Sequence, residues 1–268
     1  MPVCRMMARP RIRSSTEHHR SGRYSANKVA AASSFTHWST LINLVLLPGL
    51  DGSGDFFDAL CQQLPPRWRT HVIRYPSDQP MNYSELTRFV LAALPDDGPL
   101  VLVAESFSGP VAIQVAATRP AGLIGVVLCA TFARNPRPLL RPLLGLTGMA
   151  PVRAVPIGML SRGLLGPEAD ASWAERIRQA MNKCSVAVLR ARARAVLSVD
   201  ARGQLADIRV PVLYLQASRD RVVPAAALGD IQRVMSGIQV VEIDGPHFLL
   251  QARSVPCAER IALFVESL

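Results

Sequence analysis

Residues 100–118 read LVLVAESFSGPVAIQVAAT, and this stretch decides the fold. The apolar run 100–104 predicts a strand buried on both faces, and a helix is predicted from Pro110 onward. Ser106 stands in the sharp turn between them. The residues two before and two after such a serine come close together, so that only small side chains fit, as in the pattern G-x-S-x-G. Ala104 and Ser108 fill these positions, and Gly109 follows. Ser106 is therefore a candidate nucleophile, although a serine after a strand is commonly only a helix cap.

Short apolar runs alternate with helical patterns on both sides of this stretch. Strands are predicted over 41–47, 71–75, 100–104, 124–130, 210–216 and 238–243, and helices over about 53–64, 84–94, 110–118, 185–197, 225–235 and 256–267. Unbroken apolar strands that alternate with helices predict an α/β fold, with a mostly parallel sheet of about six strands and helices on both faces. Functional sites of such sheets lie at the carboxyl ends of the strands.

One histidine follows a predicted strand at this edge. Three of the five histidines fall in the first forty residues, and His71 opens the second strand, far from the carboxyl ends. His247 alone comes directly after a strand, behind the turn Gly245-Pro246. A lone histidine in a loop is usually only solvated, but this placement favours His247 as a general base.

The partner carboxylate has one leading candidate. Asp220 lies just after the fifth strand, where it would hold the imidazole in the productive tautomer. A helix cap or an ion pair with a neighbouring arginine is the alternative for Asp220. Asp244, three residues before His247, is expected to brace the loop, and Asp200 and Asp207 precede the fifth strand at the wrong end.

A glycine-rich loop follows the first strand, reading PGLDGSG over residues 48–54. The N–H of Leu50 and the N–H of Phe107 are candidate donors to the oxyanion of an acyl-transfer intermediate. An ordinary tight turn into a helix is the simpler explanation. A phosphate-binding loop is disfavoured because the G-x-x-x-x-G-K-[ST] pattern and its lysine are missing.

With these segments the chain resembles the α/β-hydrolase superfamily, in which nucleophile, acid and base follow one another in the order Ser106, Asp220, His247. The resemblance spans about 41–268. The segments LPGLDGSG and ESFSGP are similar to those of a compact bacterial subgroup of serine hydrolases and esterases, and also to plant esterase and acyltransferase proteins with P-G-x-D-G-T-G. Pro48-Gly49 replaces the frequent His-Gly, Ser108 replaces the second glycine, and Glu105 adds an unusual charge beside the nucleophile.

An insertion is predicted at about 131–185, where relatives of this superfamily carry a helical cap over the nucleophile. Its leucines and methionines would face an acyl pocket, for which Met159 and Leu160 are candidates together with Phe248. Residues 131–167 contain five arginines and no acidic residue: Arg134, Arg137, Arg141, Arg153 and Arg162. These arginines would meet an acidic carrier protein, an anionic surface or a carboxylated substrate, or else only cover apolar helix surface with their stems.

Composition bounds the remaining possibilities. The chain has 268 residues, 49% of them apolar, which suits one hydrolase domain over 41–268 behind a disordered extension at 1–40. The net charge of +10 is concentrated partly in that extension and does not favour nucleic-acid binding. The five cysteines are scattered and form no C-x-x-C, which favours a reducing, cytoplasmic setting over a disulfide framework or a zinc site. No apolar run reaches the about 18 residues of a membrane span.

These observations favour a serine hydrolase that cleaves a carboxylic ester through an acyl-enzyme, with no metal and no organic cofactor. Thioester hydrolysis or acyl transfer by the same three residues is the alternative, because the residues do not reveal the leaving group. A non-catalytic relative that binds a partner through its basic cap is a further alternative.

Overall fold

The structure is a computed structural model that describes residues 41–146 and 155–268, with the side chains of 143–146 left out. The described residues belong to one compact unit, Ser39–Leu268. The predicted extension at 1–40 lies outside the described residues, as do Met149 and Arg153 of the predicted cap.

Six parallel strands form a single sheet, which confirms the predicted fold class. The strands are β1 (Asn43–Leu47), β2 (Arg69–Val72), β3 (Leu100–Glu105), β4 (Leu123–Cys129), β5 (Val212–Ala217) and β6 (Gln239–Ile243). Their order across the sheet is β2-β1-β3-β4-β5-β6, and every neighbouring pair is parallel. The carboxyl ends of all six strands therefore lie along one edge.

Helices cover both faces of this sheet. They are α1 (Asp58–Cys61), α2 (Tyr83–Ala92), α3 (Gly109–Ala117), α4 (Ile157–Leu165), α5 (Ala171–Lys183), α6 (Val186–Ser198), α7 (Arg202–Leu205), α8 (Ala226–Gln232), α9 (Leu249–Ala252) and α10 (Ser254–Glu266). Because side chains alternate along a strand, Leu102 and Ala104 of β3 pack against one core and Val101 and Val103 against the other. The first core lies under α2, α3, α7 and α8, and the second lies under α1, α9 and α10.

The helix predicted at about 53–64 is much shorter in the structure, where α1 begins only at Asp58. The preceding loop is held by local bonds instead: the Asp51 carboxylate accepts the N–H and the hydroxyl of Ser53, and the Ser53 hydroxyl accepts the Asp55 N–H. Gly54, inside the predicted range, has a positive φ of 69°, a conformation that a helix cannot use. These polar turn residues compete with the helix, which explains its late start.

The helix predicted over about 84–94 is α2, which spans Tyr83–Ala92. Its N-cap is Asn82: the Asn82 side chain accepts the Glu85 N–H, and the Glu85 carboxylate accepts the Asn82 N–H. Such a capping box satisfies two backbone donors at once.

A long helical excursion, here called the cap, leaves the sheet after β4 and returns before β5. It contains a 3₁₀ segment (Pro138–Leu146) followed by α4, α5 and α6. Its two ends lie side by side, because the Asn135 N–H donates to Val199 O at 3.0 Å and the Ala201 N–H donates to Ala133 O at 2.7 Å. The excursion thus extends past residue 185, the predicted end of the insertion, and includes α6.

Candidate active site

Ser106 stands at the carboxyl end of β3 in a strained turn. Its φ is +49°, and a 3₁₀ turn (Ser106–Ser108) leads directly into α3. A residue other than glycine in this region costs about 1–3 kcal/mol and persists only where the surroundings enforce it. The turn projects the serine away from the backbone at the edge where all strands end.

The small residues around Ser106 have distinct reasons to be there. A Cβ at Gly109 would overlap the Thr131 side chain, whose hydroxyl donates to Ser106 O. Ser108, which replaces the more common glycine, is fully buried, and its hydroxyl bonds to the Tyr75 hydroxyl at 2.7 Å and to Pro48 O. The departure from G-x-S-x-G is therefore compensated by hydrogen bonds.

The structure brings the three predicted side chains into one hydrogen-bonded chain. His247 Nε2 lies 2.9 Å from Ser106 Oγ, and His247 Nδ1 lies 2.7 Å from Asp220 Oδ2. Because a carboxylate can only accept, the Nδ1–H donates to Asp220, and Nε2 is left to accept the serine proton. His247 is buried, and the second oxygen of Asp220 accepts the N–H groups of Val222 and Val223 at 2.7 and 2.8 Å.

The rival residues lie elsewhere. The Asp244 side chain is 78% exposed and binds Arg219 Nε at 2.9 Å and the Ser218 hydroxyl at 3.0 Å, so that it braces the loop. His71 Nε2 lies 2.8 Å from Oδ1 of Asn43, the first residue of β1. Neither side chain contacts Ser106.

Leu50 and Phe107, the predicted oxyanion donors, both line the cavity beside Ser106. Within the described part of the chain, no hydrogen bond uses the Leu50 N–H. Leu50 is fixed from its other side by Arg192 of α6, whose Nη1 donates to Leu50 O at 2.9 Å and to Asp51 O at 2.7 Å. Arg192 is only 2% exposed, and its Nη2 donates to Pro76 O at 3.0 Å.

A cavity of about 220 Å³ opens next to Ser106 and His247 under the cap. Its wall is mostly apolar and includes Phe56, Phe132, Leu160, Leu164, Ile177 and Phe248. The cap contacts the loop that carries His247 directly, because the Phe248 N–H donates to Leu164 O at 2.9 Å. The cavity can therefore hold an apolar group beside Ser106.

Two of the three predicted pocket residues line this cavity, and the third does not. Leu160 and Phe248 face it, whereas Met159 is 66% exposed and is not among the lining residues. On α4 the inward positions are 157, 160, 161, 164 and 165, which follow the helical period, so residue 159 points outward.

Glu105 is buried beside Ser106, on the side of β3 that faces α9. Burial raises the pKa of the Glu105 carboxyl, a hydrogen bond from Gln251 Nε2 at 3.1 Å lowers it, and the nearby Asp51 raises it, which together bring it to about 8. Burial beside Ser106 thus disfavours the charge that looks unusual in the sequence.

A profile of the alpha/beta hydrolase family matches residues 44–260. This match covers most of the chain. The chain belongs to the alpha/beta hydrolase family. The resemblance inferred from the sequence is thereby confirmed, and the order of serine, aspartate and histidine follows the pattern of that family.

Several solved structures share the fold of this alpha/beta hydrolase. The enol-lactonase from Burkholderia xenovorans LB400 is 17% identical, with a TM-score of 0.74 and 84% of this chain and 92% of that chain covered. A bromoperoxidase from Bacillus anthracis is 17% identical, with a TM-score of 0.70 and coverage of 85% and 92%. An esterase from Exiguobacterium antarcticum is 14% identical, with a TM-score of 0.69 and coverage of 84% and 91%. No curated protein sequence gives a significant match. At these identities the structures establish the fold alone.

Two residues of the hydrolase site were missed in the sequence. Arg192 lies in the alternating run R-A-R-A-R at 190–194, where nothing distinguishes a buried arginine from its solvated neighbours. Gln251 lies four residues after His247, and only the unexplained Glu105 hinted at a buried polar partner.

The basic cap is partly neutralised within the chain. Arg134 pairs with Asp230 at 2.7 Å, and Arg137 donates to the backbone oxygens of Arg221 and Val222 at 2.9 and 3.3 Å. These contacts account for two of the five arginines, and an acidic partner at the cap stays a prediction.

Residues 41–146 and 155–268 contain neither a membrane-spanning helix nor a metal-binding cluster. No helix in these ranges combines the length and the apolar character that crossing a bilayer requires. No cluster of three or more His, Cys, Asp or Glu side chains in the same ranges is placed to bind a metal ion.

Proposed function

We propose that this alpha/beta hydrolase cleaves carboxylic esters through an acyl-enzyme formed on Ser106. The observation that carries the proposal is the continuous chain of hydrogen bonds from Ser106 Oγ through both nitrogens of His247 to Asp220. A serine is a weak nucleophile on its own and becomes reactive when an adjacent base accepts its proton. The 2.9 Å contact between His247 Nε2 and Ser106 Oγ supports that step.

In the first half of the reaction, Ser106 Oγ attacks the acyl carbonyl while its proton passes to His247 Nε2. Asp220 stabilises the imidazolium that forms. The N–H groups of Leu50 and Phe107 would hold the oxyanion, and each such donor is worth about 3 kcal/mol of the barrier. His247 then gives the proton to the departing alcohol oxygen, which leaves the acyl group on Ser106.

In the second half, water repeats these steps. His247 accepts a proton from water, the hydroxide oxygen adds to the acyl carbon, and the proton returns to Ser106 as the carboxylic acid departs. The apolar cavity supports an apolar acyl substituent, because its wall offers aromatic and aliphatic side chains. The names of two similar structures, an enol-lactonase and an esterase, both refer to cleavage of an acyl–oxygen bond and support the same chemistry.

A fluorophosphonate probe tests the nucleophile. Wild type should be labelled once, and Ser106→Ala should lose labelling together with several orders of magnitude in kcat on p-nitrophenyl esters. Ser218→Ala is the matched control, because it makes the same change at an exposed strand end, and it should leave labelling and turnover unchanged. Equal labelling of wild type and Ser106→Ala, or no labelling of wild type, would refute the proposal. Acyl thioesters of matched chain length, assayed in parallel, identify the preferred leaving group.

A further inference from the structure

Glu105 and Gln251 join the same two segments that carry the nucleophile and the base. Glu105 directly precedes Ser106 on β3, and Gln251 lies on α9, four residues after His247. Both side chains are buried, at 4% and 7% exposure, and Gln251 Nε2 donates to Glu105 Oε2 at 3.1 Å. This contact therefore runs beside the contact between Ser106 and His247.

The two remaining side-chain oxygens of this pair have no partner. Glu105 Oε1 and Gln251 Oε1 are both buried, and neither takes part in a hydrogen bond. A buried acceptor without a donor costs about 1–3 kcal/mol, and such atoms in a native protein call for an explanation. Both atoms are acceptors as long as Glu105 is ionised, so they cannot satisfy each other in that state.

A single proton on the Glu105 carboxyl would provide a hydrogen bond for both unpaired oxygens. A carboxylic acid and a carboxamide can form two hydrogen bonds face to face, since the amide N–H donates to one acid oxygen and the acid O–H donates to the amide oxygen. A proton on Glu105 Oε1 would supply a donor for Gln251 Oε1, and the bond already present at Oε2 would be kept.

The surroundings favour this protonated form. The titratable groups that face Glu105 are Asp51 after β1, Cys129 at the end of β4 and Cys257 on α10. Burial raises the pKa values of both thiols, that of Cys257 to about 12, so only Asp51 brings a charge, and it is negative. The nearby guanidinium of Arg253 is paired with Glu168 at 2.7 Å. With burial added, the pKa of Glu105 reaches about 8.

We propose that Glu105 is a positioning residue that works as a neutral acid, bound to Gln251 by two hydrogen bonds that hold His247 against Ser106. The effect on activity rests on the proposed function, whereas the protonation of the pair does not. When Glu105 ionises, the donor is lost, two acceptor oxygens face each other, and α9 with the His247 loop is released from β3. Turnover should therefore fall above about pH 8, while KM changes little.

Glu105→Gln tests this directly, because a glutamine retains a donor and an acceptor but cannot ionise. The variant should keep kcat within about threefold of wild type at neutral pH, and its kcat should lose the decline above about pH 8. Glu242→Gln, the same change at an exposed position of β6, should leave the wild-type pH profile intact. Gln251→Met removes both bonding groups and should lower kcat by about 10- to 100-fold with a smaller change in KM.

Infrared spectroscopy tests the pair without catalysis. Wild type at neutral pH should show the carbonyl band of a buried carboxylic acid that is absent from Glu105→Gln and converts to carboxylate bands above about pH 8. The inference is overturned if that band is missing, or if Glu105→Gln loses most of its kcat at neutral pH. A chain that shows the acid band but does not react with the fluorophosphonate would refute the proposed function and leave the protonated pair standing.

Discussion

At the scale of single residues, the assignment of the acid depends on two oxygens of Asp220. One accepts from His247, and the other accepts two backbone N–H groups, so that the carboxylate cannot rotate without losing bonds. Asp244 is nearer to His247 in sequence, but its side chain is mostly in solvent. Contacts and burial favour Asp220 over its closer rival.

Asp220→Asn should lower kcat by about 10³- to 10⁴-fold, because an amide at this position favours the histidine tautomer that cannot accept the serine proton. Asp244→Asn is the matched control, since it makes the same change on the same loop edge, and it should stay within about twofold of wild type. Steady-state kinetics on one p-nitrophenyl ester decide the question. A silent Asp220→Asn with an impaired Asp244→Asn would transfer the role of the acid to Asp244.

At the scale of elements, α6 fixes a loop that it does not adjoin in sequence. Arg192 reaches from this helix to the backbone oxygens of Leu50, Asp51 and Pro76. Its guanidinium also occupies the space that a Cβ at Gly52 would need. A cap helix thus anchors the carbonyl groups of Leu50 and Asp51, next to the Leu50 N–H that is the predicted oxyanion donor.

Arg192→Met should lower both thermal stability and kcat, because three buried or half-buried carbonyl oxygens lose their donor at about 1–3 kcal/mol per buried group. Arg194→Met is the matched control, because Arg194 lies two residues further along the same helix on its exposed face. This variant should change neither quantity. Thermal denaturation and ester turnover measure the two effects. Loss of stability with an unchanged kcat would show that Arg192 is structural only.

The elements also show what a sequence can and cannot reveal here. The unbroken apolar runs of β1 and β3 predict buried parallel strands, and this prediction is confirmed because apolar burial leaves a local signal. The late start of α1 depends on side-chain bonds around Ser53, and the path of the cap depends on contacts between Arg134 and Asp200 at distant positions. The placement of Ser106, Asp220 and His247 could be inferred from strand ends, but their catalytic roles stay predictions.

At the scale of the whole molecule, Glu105 couples the stability of the fold to pH. Its pKa is about 8 in the folded chain, against a usual 4.5. Between these values the unfolded chain releases the proton that the folded chain keeps, so the free energy of unfolding falls as pH rises. This difference in pKa corresponds to a loss of at most about 5 kcal/mol in the free energy of unfolding, and the loss is complete near pH 8.

Glu105→Gln should therefore gain stability relative to wild type as the pH rises from about 4.5 to about 8. Urea denaturation of both proteins across this range gives the difference in the free energy of unfolding. Carboxyls with lowered pKa values, such as Glu168 and Asp230, stabilise the fold above their usual pKa values, but they are common to both proteins and cancel. A difference that does not vary with pH would contradict a protonated Glu105.

The joined ends of the cap have a consequence for how such a protein can be altered. Because residues 135 and 199 are joined by a backbone hydrogen bond, the segment between them leaves the sheet and returns to it at the same point. A different helical segment could replace the cap at this point without a change in the order of the strands. The shape of the cavity, and with it the acyl groups that the proposed enzyme accepts, would then change. The replacement would have to supply one long cation in place of Arg192, since this side chain of α6 donates to Leu50 O and Asp51 O in the loop after β1.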